Sequence, residues 1–219
     1  MNQKIFKQLI KDTGGDIKKI TPKYIAETFK IQCTKSFDTL EQYVYCIDNC
    51  VLERYFTKHW QSDIKKWKYS GLQLIEEVNN LKPRNVLDVG CGYNEFKGKI
   101  DFLTGIDPYN PKADIKIDTL EYKSKEKFDV ILCLGSINFG SQGKIEKEFA
   151  HCVSLLAEKG TMFFRANPGV QHDKVEADWI EFFAWNVPFI IELAQKHHLK
   201  VLDIRDDSNK RKYFVYRKI

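Results

Sequence analysis

The sequence predicts an α/β fold with a largely parallel sheet, preceded by a helical N-terminal segment. The main indication is an apolar run at 86–89 that leads directly into Gly90 and Gly92. A short apolar run bounded by turn residues is typical of a buried parallel strand. A second such run, 102–106, is followed by Asp107, and apolar runs then alternate with amphipathic segments to the C-terminus.

Apolar periodicity and turn residues predict the remaining elements. The pair Thr21-Pro22 indicates a helix start, with threonine as the N-cap and proline in the first turn. Pro188 falls inside an apolar-periodic segment, 179–198, where we expect it to kink or divide a helix. The other predicted elements are two short helices within 1–31, one or two helices within 39–68, a helix at 72–78, strands at 113–118, 128–134 and 161–164, a helix at 143–156, and an antiparallel hairpin of 201–205 with 213–216.

Composition predicts a protein of moderate size without membrane segments. The 219 residues divide by pattern into a helical extension at 1–70 and a domain of alternating strands and helices at 71–219. The extension carries 13 Lys and Arg against 8 Asp and Glu, and the rest of the chain has 22 of each. Since no long apolar run or signal-like leader is present, we expect a cytoplasmic protein with reduced cysteines and no membrane partner. The helices of 1–70 either pack against the sheet edge or act as a lid over the active site.

The carboxyl ends of the first two strands predict a nucleoside cofactor site. Ligands of open α/β sheets bind beyond the carboxyl ends of strands, where the strand order reverses. Glu95, however, stands where a dinucleotide-binding loop has its third glycine. Because a carboxylate would repel a pyrophosphate, the sequence favours a cofactor with no phosphate and a positive centre. S-adenosylmethionine meets that description.

The segment Asp88-Val89-Gly90-Cys91-Gly92-Tyr93-Asn94 resembles the first motif of class I S-adenosylmethionine-dependent methyltransferases, an acid and a spacer followed by G-x-G-x-G. Asn94 replaces the third glycine, and asparagine is among the residues that tolerate a positive φ. The resemblance covers about 71–219. It implies a Rossmann-like, mostly parallel sheet ending in an antiparallel hairpin, with S-adenosyl-L-methionine as cofactor and methyl transfer as activity.

The resemblance also implies roles for individual residues. Asp88 would hold the methionine amino group, and Asp107 would accept both ribose hydroxyls, which suits a carboxylate. Asp118 would accept a hydrogen bond from the adenine amino group. The cofactor-binding residues implied in this way are Tyr69, Asp88, Gly90, Cys91, Gly92, Asp107, Asp118, Thr119, Gly135 and Ser136.

Two polar residues that follow predicted strands are candidates for catalysis. Methyl transfer from a sulfonium requires orientation and, for a protonated acceptor, a base. His172 lies in a polar loop and histidine titrates near neutrality, although the pattern fits a surface histidine equally well. Asn138 is a candidate for positioning an acceptor. Five aromatic residues either line an apolar acceptor pocket or belong to the core, namely Trp179, Phe182, Phe183, Trp185 and Phe189.

Signals that the sequence lacks narrow the acceptor class. No Asn/Asp-Pro-Pro-aromatic motif follows the predicted strand at 128–134, and no Pro-Cys pair supplies a nucleophile for cytosine methylation. We therefore expect a small-molecule acceptor methylated on oxygen or nitrogen. Two alternatives stay open: a methyltransferase for RNA or another polyanion that uses the basic residues 1–70, and a non-catalytic S-adenosylmethionine-binding module.

One group of residues has the chemistry of zinc ligands but not the spacing. Cys33, Cys46, Cys50 and His59 match no compact C-x-x-C pattern. Cys46 and Cys50 are four residues apart and share a helix face, where small thiols usually pack as apolar groups. The sequence therefore predicts no metal site.

Overall fold

A computed structural model describes residues 1–171 and 174–219. The chain divides into two compact units. Residues 61–70, assigned by sequence to the helical extension, belong to the sheet-containing unit. A lid function for residues 1–70 stays a prediction. The helical unit comprises Met1–Trp60, Phe139–Ser141 and Gln171–Phe182, and the sheet unit comprises Gln61–Asn138, Gln142–Val170 and Phe183–Ile219.

The helical unit begins with the two short helices that the sequence predicts. Thr21 caps the second of them, because its hydroxyl accepts the Tyr24 amide at 3.1 Å. Thr39 and Gln42 form a capping box at the start of the third helix. None of the helices in the described part of the chain is long and apolar enough to span a membrane. The elements are α1 (Gln3–Thr13), a 3-10 turn (Ile17–Lys19), α2 (Pro22–Phe29), α3 (Leu40–Arg54), a π turn (Tyr55–His59) and a 3-10 turn (Val175–Ala177).

The sheet unit contains a six-stranded sheet in the order β2-β1-β3-β4-β6-β5. β1 to β4 pair in parallel, whereas β6 is antiparallel to both β4 and β5. The predicted α/β fold with a C-terminal antiparallel hairpin is therefore confirmed. The elements are α4 (Leu72–Asn80), β1 (Val86–Val89), β2 (Leu103–Ile106), β3 (Phe128–Cys133), α5 (Gln142–Leu155), β4 (Leu156–Ala166), α6 (Val187–Lys196), β5 (Leu199–Asp207), a 3-10 turn (Ser208–Lys210) and β6 (Arg211–Lys218).

Apolar clusters on both faces bury the sheet. Leu87 and Val89 of β1 pack in a cluster with residues of α5 and α6. Val86, whose side chain points to the opposite face, packs with residues of α4. All four residues of β1 are buried, which explains why this strand is apolar apart from its one acid.

The prediction of a strand at 113–118 is wrong, since these residues form only one isolated bridge, between Ile115 and Ile106. The Asp114 carboxylate accepts the Gly105 amide at 2.8 Å and the Lys97 ammonium at 2.9 Å. The Asp114 side chain thus takes up the Gly105 amide, which a longer strand pairing with β2 would need as a donor. The segment continues as turns.

The long helix predicted over 179–198 is also wrong in its first half. α6 begins only at Val187, where Asn186 accepts the Phe189 amide at 2.9 Å as N-cap. Pro188 lies in the first turn, so it starts the helix instead of kinking it. The preceding residues are not helical, and Ala184 makes an isolated antiparallel bridge.

Candidate active site

The strand order reverses at β1, and the candidate site lies at the carboxyl ends of the strands around it. The chain passes from β1 to β2 on one side and continues with β3 on the other. Asp88 of β1 is in register with Gly105 of β2 and Leu132 of β3. The loops that follow β1, β2 and β3 therefore start side by side, at the position where open α/β sheets bind ligands.

The loop after β1 turns through three left-handed residues. The φ angle is 65° at Gly90, 54° at Gly92 and 55° at Asn94. The predicted tolerance of Asn94 for a positive φ is thus confirmed. Cys91 donates its amide to the Ile106 carbonyl at 3.0 Å, which ties the loop to the end of β2.

Gly90 allows the loops after β1 and β3 to meet. A Cβ atom at this position would lie 2.4 Å from the Cβ atom of Ser136, closer than two non-bonded carbon atoms can approach. The Ser136 hydroxyl is buried there without a hydrogen-bond partner among the described residues. Gly135, with a φ of 116°, turns the chain just before it. A buried hydroxyl without a partner is available to a bound molecule.

Gly105 of β2 was not predicted as a site residue, although it allows the loop after β1 to pack on this strand. A Cβ atom there would lie 2.6 Å from Asn94 Oδ1 and 2.8 Å from Cys91 Sγ. Burial and the nearby Asp88 charge raise the pKa of the Cys91 thiol well above its usual range. Cys91 therefore packs as a neutral side chain, and the sequence signal for Gly105 was a glycine inside an apolar run.

Asp88 is a buried carboxyl, 3% exposed. No described residue donates a hydrogen bond to it. Burial, and to a smaller extent the negative charge of Asp107, raises the pKa of Asp88 to about 7. An acid without a partner in such a place is a common sign of a functional site.

Asp107, by contrast, is held firmly by backbone amides. Its Oδ2 accepts the Gly92 amide at 3.0 Å, and its Oδ1 accepts the amides of Tyr109 and Asn110, each at 2.8 Å. A carboxylate has about four acceptor positions, so capacity is left for a further donor. The glycine loop and the loop after β2 thus fix one carboxylate between them.

Asp118 and Thr119 lie in a turn, not at the end of a strand. Asp118 Oδ1 accepts the Leu120 amide at 2.9 Å, and both Asp118 and Thr119 are partly exposed. Contact of these residues with an adenine ring stays a prediction.

Asn138 links the loop after β3 to the end of β4. Its Oδ1 accepts the Asn167 amide at 2.8 Å and its Nδ2 donates to the Arg165 carbonyl at 3.5 Å. Both ends of the amide therefore contact the backbone. A role in positioning an acceptor stays a prediction, and the observed contacts assign Asn138 to holding this loop in place.

Tyr69 is not brought together with the other predicted site residues. Its amide donates to Asp207 Oδ1 at 3.0 Å, and its ring lies 5.9 Å from that of Tyr213 and 4.9 Å from the guanidinium carbon of Arg205. These contacts are with β5 and β6, which β3 and β4 separate from β1.

The remaining candidates have different outcomes. His172 lies outside the described residues. Trp185 and Phe189 belong to the buried core, whereas Trp179, Phe182 and Phe183 are partly exposed. Within residues 1–171 and 174–219, no three His, Cys, Asp or Glu side chains are grouped as metal ligands.

No protein-family model matches the chain, and no curated protein matches it significantly in sequence. Solved structures of S-adenosylmethionine-dependent methyltransferases do match its fold. For 1,6-didemethyltoxoflavin-N1-methyltransferase from Burkholderia thailandensis, with bound 1,6-didemethyltoxoflavin and S-adenosylhomocysteine, the TM-score is 0.61 at 15% identity, covering 86% of this chain and 94% of that one.

Two further methyltransferase structures match over most of their length. For N-methyltransferase NodS from Bradyrhizobium japonicum WM9, in complex with S-adenosylhomocysteine, the TM-score is 0.54 at 16% identity, covering 76% of this chain and 96% of that one. For an S-adenosylmethionine-dependent methyltransferase from Clostridium acetobutylicum ATCC 824, it is 0.51 at 16% identity, covering 81% and 98%. The chain has the fold of class I S-adenosylmethionine-dependent methyltransferases.

Proposed function

We propose that this protein is an S-adenosylmethionine-dependent methyltransferase that transfers a methyl group to an oxygen or nitrogen of a small-molecule acceptor. The observation that carries the proposal is the pair of buried carboxyls, Asp88 and Asp107, on either side of a glycine turn where the strand order reverses. The fold supports it too, because solved neighbours include enzymes named as N- and O-methyltransferases.

The residues present fit this cofactor. Asp88 has no donor of its own, so the amino group of a methionine moiety would supply the missing cation and hydrogen bond. Asp107 is held by backbone amides and retains acceptor capacity for ribose hydroxyls. Ser136 offers a buried hydroxyl, and Gly90 keeps the backbone free of a side chain beside it.

Glu95 supports a cofactor without phosphate. It follows the glycine turn, is partly exposed, and accepts a hydrogen bond from the Ser62 hydroxyl. A negative charge at this position would repel a pyrophosphate, as expected from the sequence. It has no such effect on a cofactor that carries a positive sulfur.

In the proposed mechanism the protein mainly binds and orients. When bound, S-adenosylmethionine supplies a methyl group on a sulfonium, whose leaving group needs no protonation. Asp88 would neutralise the amino end of the cofactor and Asp107 would hold its ribose, so these two residues would orient the cofactor for transfer. Asn138 keeps the loop that carries Ser136 in place. His172 is proposed as the base for an acceptor that must lose a proton.

The proposal is tested with methyl-labelled S-adenosylmethionine. Purified protein is incubated with this cofactor and a fractionated extract of its source cell, and the labelled fraction is identified. Asp107→Asn is the loss-of-binding variant. Asp101→Asn is the matched control, because Asp101 is an exposed aspartate in the same connection between β1 and β2.

Each outcome decides between functions. Label in small molecules that nuclease and protease leave intact, lost in Asp107→Asn and retained in Asp101→Asn, supports the proposal. Nuclease-sensitive label contradicts it and assigns the activity to nucleic acid. Measurable cofactor binding without label in any fraction contradicts it in favour of a non-catalytic module.

A further inference from the structure

Cys33 and Cys46 place their sulfur atoms 3.2 Å apart within the helical unit. Both are free thiols. Cys33 lies in the segment between α2 and α3 and is 6% exposed, whereas Cys46 lies on α3 and is half-buried. Two sulfur atoms that are 13 residues apart in the chain are therefore in direct contact.

Contacts at both ends hold the segment 30–39 against α3. At one end, Arg54 donates from Nη1 to the Phe29 carbonyl at 3.0 Å. At the other end, Gln42 Oε1 accepts the Asp38 amide at 3.0 Å. Because α3 fixes the segment before and after Cys33, the approach of this thiol to Cys46 follows from the packing of the helical unit.

The other four thiols are placed differently. Cys50 lies one turn after Cys46 on the same helix and is half-buried. Cys133 and Cys152 are 1% and 0% exposed in the core of the sheet unit. Cys91 packs against β2. Cys50 is thus the only one of these four that shares the surroundings of the pair.

We propose that Cys33 and Cys46 form an oxidation site, at which a hydroperoxide converts the two thiols into an intramolecular disulfide. One sulfur, as thiolate, attacks a peroxide oxygen, the O–O bond breaks, and a sulfenic acid forms. The other sulfur then displaces the sulfenic hydroxyl and the S–S bond forms. With hydrogen peroxide, two thiols lose two electrons and two protons, and two waters leave.

The surroundings of Cys46 determine how readily its thiol loses the proton. Burial, and then its hydrogen bond with Cys33, raises the pKa of the Cys46 thiol to about 12. Cys46 therefore keeps its proton at neutral pH in the reduced protein. This inference does not depend on methyl transfer.

The test maps disulfides in the full-length protein. Reduced protein is treated with hydrogen peroxide, denatured, alkylated and digested for mass spectrometry. Trypsin leaves Cys46 and Cys50 together on the peptide 36–54, so additional cleavage at Asp48 is needed to separate them. The expected product is a linked pair of peptides that carry Cys33 and Cys46 and come apart with dithiothreitol.

Variants make the assignment specific. Cys33→Ser and Cys46→Ser should each abolish the link, and Cys50→Ser, the matched control on the same helix, should retain it. A link through Cys50, or alkylation of all 6 cysteines after peroxide treatment, would overturn the proposal.

Discussion

The burial of the Asp88 carboxyl lowers the folding stability of the protein when no ligand is bound. Its pKa is raised by burial to about 7, so folding favours the protonated form. That contribution to stability is complete below the unfolded pKa of about 4 and is lost as the pH rises through about 7. At neutral pH and above, a charged carboxylate without a donor remains buried. Such a group gains most from a cationic ligand.

Asp88→Asn should therefore raise the stability of the free protein and weaken cofactor binding. Removing the charge should increase the free energy of unfolding at pH 8 by roughly 2 kcal/mol and flatten its decrease between about pH 4 and about pH 7. Affinity for S-adenosylmethionine should fall by about 10- to 100-fold, the cost of losing one charged hydrogen bond. Urea unfolding across pH and calorimetric titration measure the two effects.

Glu148 supplies the matched control. It is buried, and burial raises its pKa to about 7 as well, while Lys144 opposes the shift. Glu148→Gln should flatten the pH dependence in the same direction and leave cofactor affinity unchanged. Equal losses of affinity in both variants would contradict the role assigned to Asp88.

Glycine is required at position 90 for two reasons: the φ angle is positive, and a side chain would have no space beside Ser136. Gly90→Ala should cost about 3 kcal/mol or more, because a strained φ adds to the clash with Ser136. Gly98 has a φ of 73°, but a Cβ atom added there would have no heavy atom within 4 Å, so Gly98→Ala should cost only about 1 kcal/mol. Chemical unfolding of both variants measures the difference, and similar values would contradict close packing of the two loops.

At the scale of elements, one buried ion pair joins β4 to the end of β5. Arg165 donates from Nε to Asp207 Oδ2 at 3.2 Å, and the Asp207 side chain is 0% exposed. Asp207 also accepts hydrogen bonds from the Tyr69 amide and the Ser70 hydroxyl. One carboxylate therefore connects β4, the hairpin and the segment before α4.

Asp207→Ala should destabilise the protein by about 3–5 kcal/mol, because it leaves the Arg165 charge buried without its partner. Asp203 of β5 is the control. It pairs with Arg205 at 2.6 Å, but the two side chains are 26% and 49% exposed, so Asp203→Ala should cost less than about 1 kcal/mol. Thermal unfolding compares the two, and a loss below about 1 kcal/mol for Asp207→Ala would contradict the role of the pair.

Elements were predicted well where local pattern decides them. The strands at β1 and β2, the helix α4 and the hairpin of β5 and β6 follow directly from apolar runs and turn residues. The strand at 113–118 was predicted wrongly because the Asp114 side chain competes for the Gly105 amide, which no apolar pattern reveals. The helix start near Pro188 was missed since apolar spacing continues across Asn186, the actual cap.

At the scale of the whole molecule, sequence reasoning could not predict how distant segments combine. Phe139 and Phe182 form a bridge within the helical unit, although Phe139 directly follows one stretch of the sheet unit and Phe182 directly precedes another. Only tertiary contacts bring such segments together. Tyr69 illustrates the same limit, because its position beside β5 and β6 depends on Asp207, far along the chain.

The sequence predicted those residues of the candidate site that follow a strand. The stretch from Asp88 to Asp107 gave the two carboxyls and the glycine turn, since the parallel strands β1 and β2 align their carboxyl ends. The fit of Gly90 against Ser136 could not be predicted, because it depends on the distance between two loops.

Binding of S-adenosylmethionine by Asp88, the glycine turn and Asp107 underlies the proposed function, and calorimetric titration with this cofactor measures it without knowledge of the acceptor. We expect one binding site per chain, an affinity about 10- to 100-fold weaker in Asp107→Asn, and no change in Asp101→Asn. Absence of binding to the wild-type protein, or equal affinity in all three proteins, would contradict this assignment.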